Sequence, residues 1–265
     1  MNRTCARACA GMLAGVLAWA VTACSRHGSE SGAAEFFPLH TEDTWVYEVA
    51  QPLRNVRTRM TVRVRDERYI QALGQRCRLV DETYAGVDAA VETLHGPHVA
   101  ALLGRRKKPE VYPIAYCHRN GFLYRALSLQ YQGDELRDIG LGSREERFLP
   151  DGLASDLTWE SVTTAYDLGR GNGYGVRQTH RATLESSIIE VPAGQFAGCV
   201  RVETVAVHSG KRDGEYDSDP IVLYYADWYA PNVGLVRTMQ WERPDGGPPL
   251  ARIELVAYDV QGAHH

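Results

Sequence analysis

The chain has 265 residues, with 29 Lys and Arg against 33 Asp and Glu, a formal net charge of −4 and 44% hydrophobic residues. This balance excludes a disordered polar chain and argues against a nucleic-acid binder, which would carry a basic excess. The length suffices for one large core or two small ones.

The first element is a targeting segment. Arg3 and Arg7 precede an apolar run from Gly11 through Met12, Leu13, Val16, Leu17 and Trp19 to Val21, closed by Thr22-Ala23-Cys24. A run of roughly 7–15 apolar residues is too short to span a bilayer and fits the core of a signal peptide. The small residues before Cys24 resemble the lipobox of bacterial lipoproteins, in which the cysteine is acylated and becomes the first mature residue. Ala18-Trp19-Ala20 leaves open ordinary secretory cleavage instead. Ser25 after the cysteine, in place of the aspartate that retains lipoproteins in the inner membrane, implies an outer-membrane anchor facing the periplasm.

Residues 1–23 are thus expected to be removed, which leaves 242 of the 265 residues and, without Arg3 and Arg7, moves the formal charge from −4 to −6. Residues 24–35 read as a lipidated flexible tether, since Ser25–Ala34 is rich in Ser and Gly and has no apolar periodicity. Cys77, Cys117 and Cys199 remain as thiols in the body. They allow one disulfide and one orphan, with Cys77 and Cys117 the preferred pair, or three reduced cysteines packed in sheets.

From Phe36 onward the pattern is β. Val56, Thr58, Met60, Val62 and Val64 alternate with Arg57, Arg59, Thr61, Arg63 and Arg65, the period of a strand with one wet face. The four arginines read as a solvated face beside Asp81 and Glu82, the alternative being a stripe for lipid phosphates. Asn120-Gly121 between Ile114–Arg119 and Phe122–Tyr131 predicts a tight hairpin, because both turn residues tolerate positive φ. Further strands are predicted at Gln178–Glu190, Cys199–His208, Ile221–Tyr229, Leu235–Glu242 and Ala251–Asp259. No long segment has a helical period. The fold class is all-β: a large curved antiparallel sheet or open half-barrel with few short helices.

The chain also echoes itself. Phe37-Pro38 before Trp45 corresponds to Leu149-Pro150 before Trp159, and Gly74-Gln75 before Cys77 to Gly194-Gln195 before Cys199. Asn120-Gly121-Phe122 corresponds to Asn232-Val233-Gly234-Leu235. Three echoes in one order predict two related β-units, 36–145 and 146–261, followed by a tail at 262–265.

Phe36-Phe37-Pro38-Leu39 leading to Trp45, Val191-Pro192-Ala193-Gly194-Gln195-Phe196 leading to Cys199, and Tyr229-Ala230-Pro231-Asn232-Val233-Gly234-Leu235-Val236 together resemble a family of uncharacterised bacterial periplasmic lipoproteins. The resemblance implies an antiparallel fold related to the half-barrels of lipoprotein carriers, and it supplies no catalytic residue. The chain departs from the family at Thr41-Glu42-Asp43, where a glycine is usual.

Candidate chemistry is sparse. His95 and His98 lack a third zinc ligand. Asp213, Glu215, Asp217 and Asp219 lack the glycine and distal Glu of a calcium loop. Gly169–Gly175 lacks the Lys-Ser/Thr of a phosphate loop and reads as a flexible excursion, and Arg105-Arg106-Lys107-Lys108 reads as a solvated loop or a headgroup contact. The expectation is therefore a non-catalytic, membrane-anchored protein that binds an apolar or acylated envelope component, or else a partner protein, with no cofactor, no metal and no nucleic acid.

Overall fold

The computed structural model describes residues 33–71, 73–85, 111–126, 129–132, 135–138, 146–153, 155–167, 172–209 and 220–262. Cys24, His95, His98, Arg105–Lys108, Gly169–Gly171 and Asp213–Asp219 lie outside the described residues. One helical turn, Ala33–Phe36, takes in the last three residues of the expected tether. The strands are β1 (Thr44–Gln51), β2 (Val56–Ile70), β3 (Gln75–Ala85), β4 (Val111–Arg119), β5 (Phe122–Ala126), β6 (Leu129–Gln132), β7 (Glu135–Asp138) and β8 (Glu146–Pro150). They continue as β9 (Thr158–Asp167), β10 (Asn172–Leu184), β11 (Ile189–Val191), β12 (Gly194–Phe196), β13 (Val200–Ser209), β14 (Ile221–Ala230), β15 (Gly234–Trp241) and β16 (Ala251–Asp259).

Twelve of these strands form one antiparallel sheet in the order β8-β5-β4-β3-β2-β1-β16-β15-β14-β13-β10-β9, nearly closed into a barrel. Apart from the two small hairpins β6–β7 and β11–β12, each strand pairs with its neighbours in sequence, and β1 pairs with β16. The break in the cylinder falls between β8 and β9, one strand beyond the division expected at 145/146. On either side of it lie six consecutive sheet strands. The three sequence echoes occupy equivalent points of the two halves: the approach to the first strand, the approach to the third, and the turn between the fourth and fifth.

Alternation explains the layers. In β2, Thr58, Met60, Val62 and Val64 are buried, while Arg57, Arg59, Arg63 and Arg65 face solvent. Arg57 meets Glu48 at 3.4 Å, Arg65 meets Asp81 at 3.4 Å, and Arg63 pairs with Glu42. Glu82, expected beside them, points the other way and is 6% exposed, because a period of two puts neighbours on opposite faces. Asn120 and Gly121 take φ 51° and 76°, as a two-residue hairpin requires. Glu42 takes φ 76°, a left-handed conformation for a non-glycine residue, with Thr44 Oγ1 donating to its carbonyl at 3.0 Å.

Three expected elements differ. The predicted strand Phe122–Tyr131 divides into β5 of the large sheet and β6 of the β6–β7 hairpin. The predicted strand Gln178–Glu190 stops at Leu184, since the Glu185 carboxylate accepts hydrogen bonds from Ser187 N–H (3.1 Å), Ser187 Oγ (2.8 Å) and Trp228 Nε1 (3.2 Å) and so closes a local turn. The Gly-rich excursion is shorter than expected, because Asn172–Gly175 pair with β9. Cys77 and Cys117 form a disulfide between β3 and β4, and Cys199 is a free, buried thiol whose pKa burial pushes up to about 11.

Candidate functional site

The inner faces of both halves enclose a cavity of about 160 Å³. Trp45, Met60, Val62 and Ile253 give it an apolar wall, and Gln178, Thr204, His208 and Tyr225 give it a hydrogen-bonding wall. This division follows from sequence. The positions of β1, β2 and β16 that line the cavity are Trp45, Tyr47, Met60, Val62 and Ile253, whereas those of β10, β13 and β14 include Gln178, His180, Thr204, His208, Tyr225 and Asp227. The volume is well below the ~300 Å³ at the lower end of ligand pockets, so it suits a compact molecule and excludes a diacyl lipid unless the sheet widens.

Beside the break, Arg125 on β5 and Glu146 on β8 stand directly opposite each other, and Arg125 donates to Glu146 at 2.9 Å. Their side chains are 17% and 5% exposed. Burial alone would lower the Arg125 pKa, but the Glu146 carboxylate together with Tyr116 and Tyr229 outweighs it and the net shift is upward. The guanidinium also lies 4.8 Å from the centre of the Phe148 ring, within an edge-to-face cluster formed by Phe37, Tyr116, Phe148 and Tyr229. Burial holds the Tyr116 and Tyr229 phenols neutral by raising their pKa.

On the other side of the break, His180 on β10 stacks on Trp159 of β9, with ring centres 4.9 Å apart. Its Nε2 is 2.9 Å from Ser161 Oγ and its Nδ1 is 2.8 Å from Thr204 Oγ1. Ser161 gives its one proton to Gln178 Oε1 at 2.8 Å, and an amide oxygen can only accept. Nε2 must therefore donate to Ser161, and Nδ1 must accept from Thr204. The imidazole is neutral and satisfied at both nitrogens; burial lowers its pKa to about 4. The same proton count leaves Ser161 accepting from the histidine, the reverse of an activated nucleophile.

Of the residues singled out from sequence, Phe37, Trp45, Met60, Val62, Leu149 and Leu235 line the cavity, and several others fall elsewhere. The Cys77–Cys117 bridge is buried against Leu79, Ala115 and Ala126, in a cluster distinct from the main core. Pro192 and Ala193 turn the β11–β12 hairpin, and Phe196 packs on Tyr258 at 6.0 Å. Trp228 and Leu235 are offset by a bulge, so that Trp228 faces Arg237 and Tyr229 faces Leu235. Sequence reasoning missed Arg125, Glu146 and His180. A usable signal existed for His180: a polar residue in phase with buried Val176 and Ala182 on one strand. Among the described residues no group of three or more His, Cys, Asp or Glu side chains could hold a metal ion, and no helix is long and apolar enough to cross a membrane.

No protein-family model and no curated protein matches the chain. Solved structures do resemble it. A Bacteroides fragilis protein described as exported and as having a YmcC-like fold is 14% identical, with a TM-score of 0.51 over 84% of this chain and 98% of its own. A Parabacteroides distasonis protein described as a lipoprotein is 15% identical, with a TM-score of 0.49 over the same shares. At such identity the likeness is one of fold, and the fold it shares with the first is the nearly closed antiparallel sheet.

Proposed function

We propose that this chain is an envelope lipoprotein, anchored through acylated Cys24, which binds a compact ligand inside its sheet without transforming it. Supporting the anchor are the basic start, the short apolar run and the small residues before Cys24. The observation that carries the binding role is the two-sided cavity, apolar at Trp45, Met60, Val62 and Ile253 and hydrogen-bonding at Gln178, Thr204, His208 and Tyr225. Such walls fit a molecule with an apolar body and a polar head. The acylated component expected from sequence becomes a smaller amphiphile, since the space is too small for two chains.

The test is organic extraction and mass spectrometry of protein purified from the cell envelope, beside an Ala206→Phe variant. Ala206 lines the cavity and is 1% exposed. The extract of the natural protein should contain one dominant small amphiphile, and the variant should lose it while remaining folded. Equal, empty extracts from both would overturn the reading.

A further inference from the structure

Exposed apolar side chains gather at one end of the sheet. Among the described residues, four hydrophobic side chains are more than 60% exposed: Leu53 (65%), Tyr69 (62%), Leu184 (62%) and Ile188 (61%). Leu184 is opposite Val200, and Val200 is opposite Tyr229, so Leu184 closes β10 level with the last residues of β14. Ile188 follows in the turn before β11. Tyr69 lies on the stretch of β2 that runs past Arg63, which is opposite Thr44 at the start of β1. The hydrogen bond from Trp45 to Val233 brings the start of β1 to the turn after β14, so these three residues share an end. Leu53 lies at the other end, in the short turn after β1.

The chain enters the body at the first of these ends. Asn232, in the turn between β14 and β15, donates its N–H to the Glu35 carbonyl at 2.6 Å. Ala33 follows Cys24 by nine residues, which reach at most about 32 Å when fully extended. β1 alone has eight residues and a length of about 26 Å. Turning the Leu53 end to the bilayer would draw the tether out along most of the sheet, whereas the Leu184 end needs no such extension.

The turn holds its apolar side chains outward. Besides receiving Ser187 and Trp228 at its carboxylate, Glu185 donates its N–H to the Cys199 carbonyl at 2.8 Å, which pins the turn to β13 and β14. Ile189, next to Ile188, is 5% exposed and fills the core. Two aliphatic side chains separated by Glu185, Ser186 and Ser187 offer far less area than a stable protein interface requires. A bilayer demands less, because a tether beside it makes even weak insertion an intramolecular step.

From this placement we infer that the Leu184–Ile188 turn rests in the bilayer to which Cys24 anchors the chain, with Leu184 and Ile188 inserted at the boundary between headgroups and acyl chains. Tyr69, an aromatic residue with a hydroxyl, suits the headgroup level at the same end. The inference rests on the anchor proposed above. It fixes which end of the sheet faces the membrane.

The test places the environment-sensitive fluorophore NBD on Leu184→Cys, Ile188→Cys or Leu53→Cys in the full acylated protein. Each is reconstituted into vesicles of phosphatidylethanolamine and phosphatidylglycerol. On vesicles the labels at 184 and 188 should shift their emission to shorter wavelength and be quenched by nitroxides carried on the acyl chains. The label at 53, equally exposed at the far end, should keep its aqueous spectrum and escape quenching. Aqueous, unquenched emission from 184 and 188 on vesicle-bound protein would overturn the insertion and leave the anchor standing. Equal quenching at 53 would overturn the orientation. Protein isolated from the envelope without lipid on Cys24 would overturn the anchor, and the inference with it.

Discussion

The indole N–H of Trp45 lies 2.6 Å from the carbonyl oxygen of Val233, 188 residues away. The same turn gives Asn232 N–H to the Glu35 carbonyl at 2.6 Å, while Tyr47 Oη donates to the Leu235 carbonyl at 3.0 Å. Gly234 packs against Trp45 at φ 101°, a backbone conformation that other residues rarely adopt. The first and last motifs of the chain are therefore two sides of one joint, and their aromatic residues serve the scaffold. In the other half, Asp151 N–H donates to the Gly121 carbonyl at 2.8 Å, so each fourth-to-fifth turn docks on the segment that leads into the other half.

That joint predicts an asymmetry. Trp45→Phe loses a buried hydrogen bond and strands a carbonyl, whereas Trp159→Phe removes a buried N–H with no acceptor among the described residues. Both lose ring volume, so the difference isolates the hydrogen bond. In urea unfolding Trp45→Phe should cost about 1–3 kcal/mol more than Trp159→Phe. Equal costs would contradict the role given to Trp45.

The Arg125–Glu146 pair predicts a cycle. Glu146→Gln leaves a buried guanidinium without its charge partner and should destabilise by about 3–5 kcal/mol. Arg125→Met with Glu146→Leu removes both charges and should recover most of that loss. Additive losses in the cycle would argue against a direct pair.

His180 predicts a pH dependence. Its folded pKa of about 4 lies below the ordinary 6.5, so the unfolded chain binds the proton first. The stability due to the neutral ring is complete above pH 6.5 and is lost as pH falls from 6.5 through 4, about 3 kcal/mol in all. His180→Gln should flatten unfolding free energy across that window relative to the natural protein. An unchanged slope would show that other groups set it.

The disulfide joins residues 40 apart in sequence. Closing a loop of that length restricts the unfolded chain by an amount worth about 4 kcal/mol in the chain-entropy treatment. Cys77→Ser with Cys117→Ser should lower the urea midpoint accordingly, with the β3–β4 ladder intact by circular dichroism. A loss below about 1 kcal/mol would mean that the reduced chain is already restricted there.

Local rules made much of the fold legible. Alternation marked both faces of β2, and Asn120-Gly121 marked the β4–β5 turn. What stayed hidden is non-local. Nothing near Thr44 indicates that β1 will pair with β16, and nothing near Arg125 indicates Glu146, because strand order brings them together after each strand has formed. The stop at Leu184 was also missed: Ser187 supplies two of the hydrogen bonds to Glu185 locally, and the third comes from Trp228, 43 residues on.

On the proposed function, the sheet encloses a binding site in use. Native mass spectrometry of the protein purified from the envelope, compared with the same sample under denaturing conditions, tests it most directly. The native mass should exceed the denatured mass by one compact ligand, and Ala206→Phe should erase that difference. Identical native and denatured masses for the natural protein would contradict the claim and leave the cavity a packing feature of the fold.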